Sequence, residues 1–398
     1  MSSTAHNSPC PLAGITVVEF SQMVMGPTVG LILADLGADV IKVEPLKGDN
    51  TRRLVGSGAG YFPMYNRNKR SICLDIKSAD GMAAARKLID TADVFVENFR
   101  PGGMDKLGLG YEALSETNPG LIYCSAKGFL TGPYDHRTAL DEVTQMMGGL
   151  AYMTGPPGQP LRAGSSVIDM MGGMFGAIAV QAALVERART GKGQHVTSSL
   201  YESTVFSVGQ HMAQMAVTGQ PAKPMPARIS AWAVYDKFET KEGELVFIGV
   251  VSDTQWQKFC DAFGLDDWAQ DEALAKNAGR VAKRDEIIPK LNTLFKGYVK
   301  DDLTAKLEDT GLPFAPIAKP EDLFDDAHLN ASGGLLPLTM PNNGESTKLP
   351  NLPIEMGGER LGLRKDLTKP GDDTRDVLTQ IGYSESDIDA LINSDAAA

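Results

Sequence analysis

The chain has 398 residues, 42% of them hydrophobic and 22% charged, a composition that supports two or more packed domains and excludes a largely disordered polypeptide. Its formal charge of -12 argues against a nucleic-acid partner, because phosphates are repelled and no basic cluster offsets the total. The most apolar charge-free run, 170–185, is short for a bilayer span and interrupted by glycines, so it reads as a buried helix and no membrane segment is expected.

Taken in chain order, residues 1–7 are polar and read as a frayed leader rather than a secretory signal. Cys10, Cys73, Cys124 and Cys260 show no paired spacing, which fits a reducing, cytoplasmic location better than a disulfide framework. The five histidines have no ligand spacing, and no metal is expected. The β-branched run 14–20 predicts a strand, Gly26-Pro27 a helix start, and Gly37 a helix end before a second strand over 38–44, stopped by Pro45. Strands over 71–76, 94–97 and 121–125, with a helix over 80–90, repeat the alternation. Strands alternating with helices at this spacing point to an α/β fold with a doubly wound parallel sheet.

Long helices follow over 169–189 and 201–218, the first closed by Gly191, and three prolines in 221–226 mark a linker. Beyond it, strands over 230–238 and 245–250 suggest a hairpin, followed by helices over 253–263 and 285–307, in a smaller α+β domain. The segment 332–369 is rich in proline and glycine with few periodic apolar residues, and helices over 373–381 and 385–392 should dock on the large domain. The expected organisation is a large domain over 1–225, an inserted small domain over 226–330, and a return to the large domain over 331–398.

An open parallel sheet binds ligands beyond the carboxyl ends of its strands, which singles out 23–26, Glu44, Lys77, Asn98, Phe99, Arg100 and Lys127. A dinucleotide enzyme with Glu44 on the ribose is disfavoured, since the first turn reads Gly26-Pro27-Thr28-Val29-Gly30 and lacks the three-glycine fingerprint. Asp169 enters the most apolar helix close to its start, beside Gly172 and Gly173. Two readings stay open from the residues alone. It is either an N-cap, or a carboxylate nucleophile whose charge the helix dipole stabilises and whose small neighbours admit a ligand.

Taken together, the segments 11–20, 36–44, 66–72, 74–77, 93–102 and 190–194, including Asn66-Arg67-Asn68-Lys69-Arg70, Glu97-Asn98-Phe99-Arg100-Pro101-Gly102 and Thr190-Gly191-Lys192-Gly193-Gln194, resemble the class III CoA-transferases in content and order. The resemblance implies a covalent route through Asp169, by way of aspartyl anhydrides and an aspartyl-CoA thioester, with helix-start amides available for oxyanions. It places coenzyme A against Met25, Gly26, Leu74, Asp75, Ile76, Lys77, Asn98, Phe99, Arg100, Lys106, Arg137 and Leu140, and implies an interlocked homodimer. No tightly bound cofactor is expected; coenzyme A and its acyl esters are substrates. Met25 stands where formyl-CoA transferase has a glutamine, and its glycine-rich lid is replaced by 221–226, so the expected pair is succinyl-CoA and a C4–C6 dicarboxylate. Asp373-Thr374 stands where a histidine-threonine pair is common, which should affect only packing. The α-methylacyl-CoA racemase branch is the rival, but it uses a His-Asp pair where this chain has Leu140-Asp141. A non-catalytic CoA-binding module is the remaining alternative.

Overall fold

Val17, Val18 and Phe20 are buried on both sides of the first strand, β1 (Thr16–Phe20), as a central parallel strand requires. The computed structural model describes residues 10–228 and 230–398. With β2 (Asp39–Glu44), β3 (Lys69–Cys73), β4 (Val94–Glu97), β5 (Ile122–Lys127) and β6 (Gln194–Ser199), it builds a six-stranded sheet in the order β3-β2-β1-β4-β5-β6, parallel throughout. The order reverses between β1 and β4, the switch point of a doubly wound fold.

The sixth strand differs from the sequence expectation, in which 190–194 only closed a helix. Gln194–Ser199 is polar and half-exposed at the sheet edge, so it carries no apolar run to announce it. One compact unit takes the described chain up to Pro226 and resumes over Ala327–Ala398; the other is Ala227–Asp326.

On one face of the sheet lie α1 (Met25–Asp35) and, later in the chain, the long helix Val167–Thr190, with Val29, Leu33, Ala177 and Val180 in a core against Val17, Val94 and Ile122. The long helix ends at Gly191, whose φ of 70° suits the left-handed cap. By length and composition alone it could cross a membrane, but it packs here on α1 and the sheet. The opposite face is covered by Ala79–Asp90 and by the two C-terminal helices Thr374–Gln380 and Glu385–Asn393, which bring Val377, Leu378, Ile388 and Leu391 against Ile72 and Phe95. The tail is latched to β3. Asp373 accepts the Ser71 amide at 2.9 Å, Thr374 Oγ1 the Cys73 amide at 3.1 Å, and Ala397 bridges Leu74.

The basic run 66–70 folds inward. Arg67 forks onto Asp35 at 2.6 Å, and Lys69 meets Glu19 at 2.7 Å, with Glu19 also 3.1 Å from Lys42. All of these groups are buried, so each cation needs its partner. Glu44, a possible ribose ligand by sequence, is fully used by Arg52 at 2.6 Å, Ser71 Oγ at 2.6 Å and the Asp49 amide at 2.7 Å.

The smaller unit holds a three-stranded antiparallel sheet, Tyr235–Glu239, Leu245–Gly249 and Phe314–Pro316, packed on Trp256, Phe259 and Phe295. The helix expected over 285–307 is two helices, Arg284–Phe295 and Lys300–Thr310, separated at Gly297. Within 332–369, expected to be irregular, Leu335–Thr339 and Ser346–Pro350 form a hairpin through alternating burial of Leu336 and Leu338.

Candidate active site

A cavity of about 610 Å³ opens beyond the carboxyl ends of β1, β4 and β5, at the switch point. Gln22 and Met23 line it after β1, Asn98, Phe99 and Arg100 after β4, and Lys127 and Gly128 at the end of β5. Met25 enters from α1, and Tyr61 from a short helix, α2 (Tyr61–Tyr65). Arg137, Leu140, Asp141 and Glu142 come from the approach to and first turn of a further short helix, Asp141–Met147, which is called α3 here. Arg162, Ser166 and Asp169 come from the entry to the long helix, called α4 here (Val167–Thr190).

Asp169 is the third residue of α4, after the N-cap Ser166, which makes no side-chain cap. The N-cap reading of Asp169 is therefore overturned: the orphan amides at this helix start are bonded by a different residue. Asp141 Oδ2 accepts the backbone N–H of Ile168 at 2.9 Å and of Asp169 at 3.1 Å. For the same reason these two amides do not serve as oxyanion donors, as the helix start was expected to. Among the described residues no hydrogen bond reaches the Asp169 carboxylate. Its pKa is pushed up to about 7 by burial and by the negative charge of Asp141, with Arg162 opposing. The expected dipolar stabilisation of the Asp169 charge is thus outweighed by desolvation and a like-charged neighbour.

Gly172 and Gly173 do not make room for a ligand. A Cβ on Gly173 would stand 2.5 Å from Thr28 Cβ and 2.8 Å from the Met25 carbonyl oxygen, and one on Gly172 would stand 2.6 Å from Met25 Cε. These glycines let α4 lie directly on α1, which fixes Asp169 relative to Met25.

Asn98 has a structural task as well as a place in the lining. Its side chain accepts the Gln22 amide at 3.0 Å and donates to the Gln22 carbonyl at 2.7 Å. This pair holds a turn in which Met23 adopts φ 66°, an uncommon conformation for a residue with a side chain. Lys127 is held by Glu97 at 2.6 Å and by the Phe99 carbonyl at 2.8 Å. Arg162 donates to Glu142 at 2.7 Å, and Arg137 lies 4.7 Å over the Tyr134 ring.

Of the residues expected to meet coenzyme A, Met25, Asn98, Phe99, Arg100, Arg137 and Leu140 line this cavity together with Asp169, whereas Gly26, Leu74, Asp75, Ile76, Lys77 and Lys106 do not. Leu74 is a core residue, 2% exposed and bridged to Ala397, so its side chain offers no wall to a ligand. Gly26 is shut in by Ser21 and Asn98, 2.5 and 3.0 Å from where its Cβ would be. Asp75 and Ile76 are half-buried beyond β3, while Lys77 and Lys106 are exposed. Gln22, Tyr61 and Arg162 were not legible in the sequence: no local pattern marks a glutamine after a strand, a tyrosine after a glycine-rich turn, or an arginine ahead of a helix as cavity residues.

The lining contains no histidine. His136 sits on an exposed loop beside Asp135, and His195 bonds Ser125 Oγ at 2.9 Å on β6. A histidine-aspartate proton-transfer pair is therefore not assembled here. Among the described residues no cluster of histidine, cysteine and carboxylate side chains could hold a metal ion.

A family model described as CoA-transferase family III matches residues 12–374. The succinate–glutarate CoA-transferase of Agrobacterium fabrum is 36% identical over 390 residues, covering 94% of this chain and 96% of that protein. The mouse succinyl-CoA:glutarate CoA-transferase is 33% identical over 392 residues, covering 96% and 89%. Among solved structures, a CAIB/BAIF family protein from Brucella suis superposes with a TM-score of 0.82 at 36% identity, covering 94% of this chain and 100% of that one.

Proposed function

The chain belongs to CoA-transferase family III and is an acyl-CoA:carboxylate CoA-transferase, and from that premise we propose that it moves CoA from succinyl-CoA to a C4–C6 dicarboxylate through covalent intermediates on Asp169. The observation that carries this reading is an unbonded carboxylate facing a large cavity at the switch point of the sheet. An Asp169 oxygen attacks the thioester carbonyl, the C–S bond breaks, and CoA leaves as thiolate, giving a mixed anhydride. The thiolate then attacks the Asp169 side-chain carbonyl, releasing succinate and leaving an aspartyl-CoA thioester. The acceptor carboxylate displaces CoA from that carbonyl to form a second anhydride. CoA finally attacks the acceptor's acyl carbon, which frees the new CoA ester and restores the Asp169 carboxylate. A carboxylate suits this sequence because each anhydride can exchange with a thioester in either direction.

Asn98, Phe99, Arg100, Arg137 and Leu140 are proposed to hold the pantetheine and phosphate portion of the CoA ester, with Lys77 and Lys106 as phosphate cations outside the cavity. The names of the Agrobacterium fabrum and mouse relatives support a succinyl donor and a glutarate-sized acceptor. A homodimer is proposed from exposed apolar side chains on α4 and on the following helix Leu200–Thr218, where Ile178, Phe206, Met212 and Val217 are more than half exposed. No tightly bound cofactor enters the scheme. Cytoplasmic location is proposed from the buried thiols Cys73, Cys124 and Cys260.

The test is a panel of C2 to C6 acids incubated with succinyl-CoA and enzyme, with the CoA esters read by mass spectrometry. Preference for monocarboxylates or oxalate would refute the substrate assignment.

A further inference from the structure

Asp141 begins α3 and is 7% exposed. One of its oxygens holds the Ile168 and Asp169 amides. The other accepts Gln145 Nε2 at 2.5 Å and lies 3.4 Å from Arg162 Nη2. Gln145 is fully buried, and its Oε1 accepts the Ala163 amide at 2.9 Å. Arg162 in turn donates to the Ala163 and Ser165 carbonyls at 3.0 and 3.1 Å. Together these bonds tie the segment that leads into α4 back to α3.

A carboxylate at the third position of a helix can fold back onto the N-cap amide in a capping box. Here the Asp169 side chain makes no such bond, and the Ile168 and Asp169 amides are held from 27 and 28 residues away in sequence. We propose that Asp141 is a positioning residue for CoA transfer: it anchors the first-turn amides of α4 to α3 and leaves the Asp169 carboxylate free at the cavity, facing a second carboxylate.

The consequence concerns the whole reaction sequence. All three covalent intermediates carry Asp169 as a neutral acyl group, so forming them from the free enzyme removes one of two neighbouring negative charges. Repulsion present in the free enzyme is relieved in the anhydride and in the aspartyl-CoA thioester, which favours their formation. Arg162 moderates that repulsion without cancelling it, in keeping with the elevated pKa of Asp169. Around the cavity the other charged and titratable groups are Arg100 after β4, Arg137 ahead of α3, Glu142 on α3, Tyr61 and Tyr65 on α2, and Lys127 on β5, already paired with Glu97.

This role rests on Asp169 as the nucleophile, and the experiment separates the two. The pH dependence of kcat/KM for succinyl-CoA is compared in wild type, Asp141→Asn and Arg162→Met, and the fraction of enzyme carrying CoA on Asp169 is read from intact mass. Asn retains an acceptor for the helix start while removing the charge. The acid limb, near pH 7 in wild type, should fall by about half a unit or more in Asp141→Asn and rise in Arg162→Met. The CoA-adduct fraction should fall severalfold in Asp141→Asn. A limb that stays in place in both variants overturns the role of Asp141, even if both enzymes are slower or less stable. Absence of any Asp169 adduct in the wild type overturns the nucleophile reading, and Asp141's role with it, and is recognisable as such before any variant is made.

Discussion

Replacing Asp169 by asparagine should make the enzyme more stable while destroying its activity. The side chain titrates at an ordinary 3.8 when unfolded and at about 7 when folded. Between these values the native state holds a proton that the unfolded chain has released, so stability is greatest below about pH 4, declines as pH rises through the window and is flat above it. At 1.36 kcal/mol per pH unit the full difference is roughly 4 kcal/mol, which partial exposure of the carboxylate reduces to about 2 to 4 kcal/mol. The amide of the substituted side chain has no charge to desolvate and no repulsion with Asp141, so this penalty is absent from the variant at every pH. The assay is the midpoint of thermal unfolding for both proteins at about pH 4.5 and about pH 8. The two should be close at the lower pH, and the variant should be higher by several degrees at the upper one. Transfer activity should fall by several orders of magnitude, because the only covalent route is removed. Retained activity in Asp169→Asn would refute the mechanism. A stability difference independent of pH would refute the account of the carboxylate's environment.

Lys77→Ala and Lys106→Ala should raise KM for the CoA ester more than they lower kcat, since contacts to a phosphate remote from the reacting carbonyl are equal in ground and transition states; steady-state kinetics with varied succinyl-CoA decides this. Gly173→Ala forces a methyl group to 2.5 Å from Thr28 Cβ and should cost about 1 to 3 kcal/mol of stability, read by urea denaturation, with activity reduced as α4 moves off α1. Phe206→Asp on the exposed apolar face of Leu200–Thr218 should shift sedimentation from dimer to monomer at sub-micromolar protein, with the wild type dimeric under the same conditions.

The alternation of β-branched runs with glycine-closed helices was enough to announce a doubly wound sheet, because strand and helix periodicities are local properties of the chain. The position of Asp169 near the start of an apolar helix was legible for the same reason, as was the helix end at Gly191. Strand Gln194–Ser199 was hidden: at a sheet edge a polar sequence satisfies the backbone as well as an apolar one. Gly26 followed a strand and Leu74 was placed at the ligand by the resemblance, yet Asn98 closes on the one and tail residue Ala397 covers the other. Only the tertiary structure decided the surroundings of Asp169. Capping by a carboxylate 28 residues away, and packing of two glycines onto α1, are contacts between segments that no window of sequence contains. The sequence set the carboxylate at a helix start, where local chemistry makes a cap the ordinary outcome. In the folded chain Asp141 takes that helix start, and Asp169 is left with neither a hydrogen bond nor a place for its charge other than the cavity.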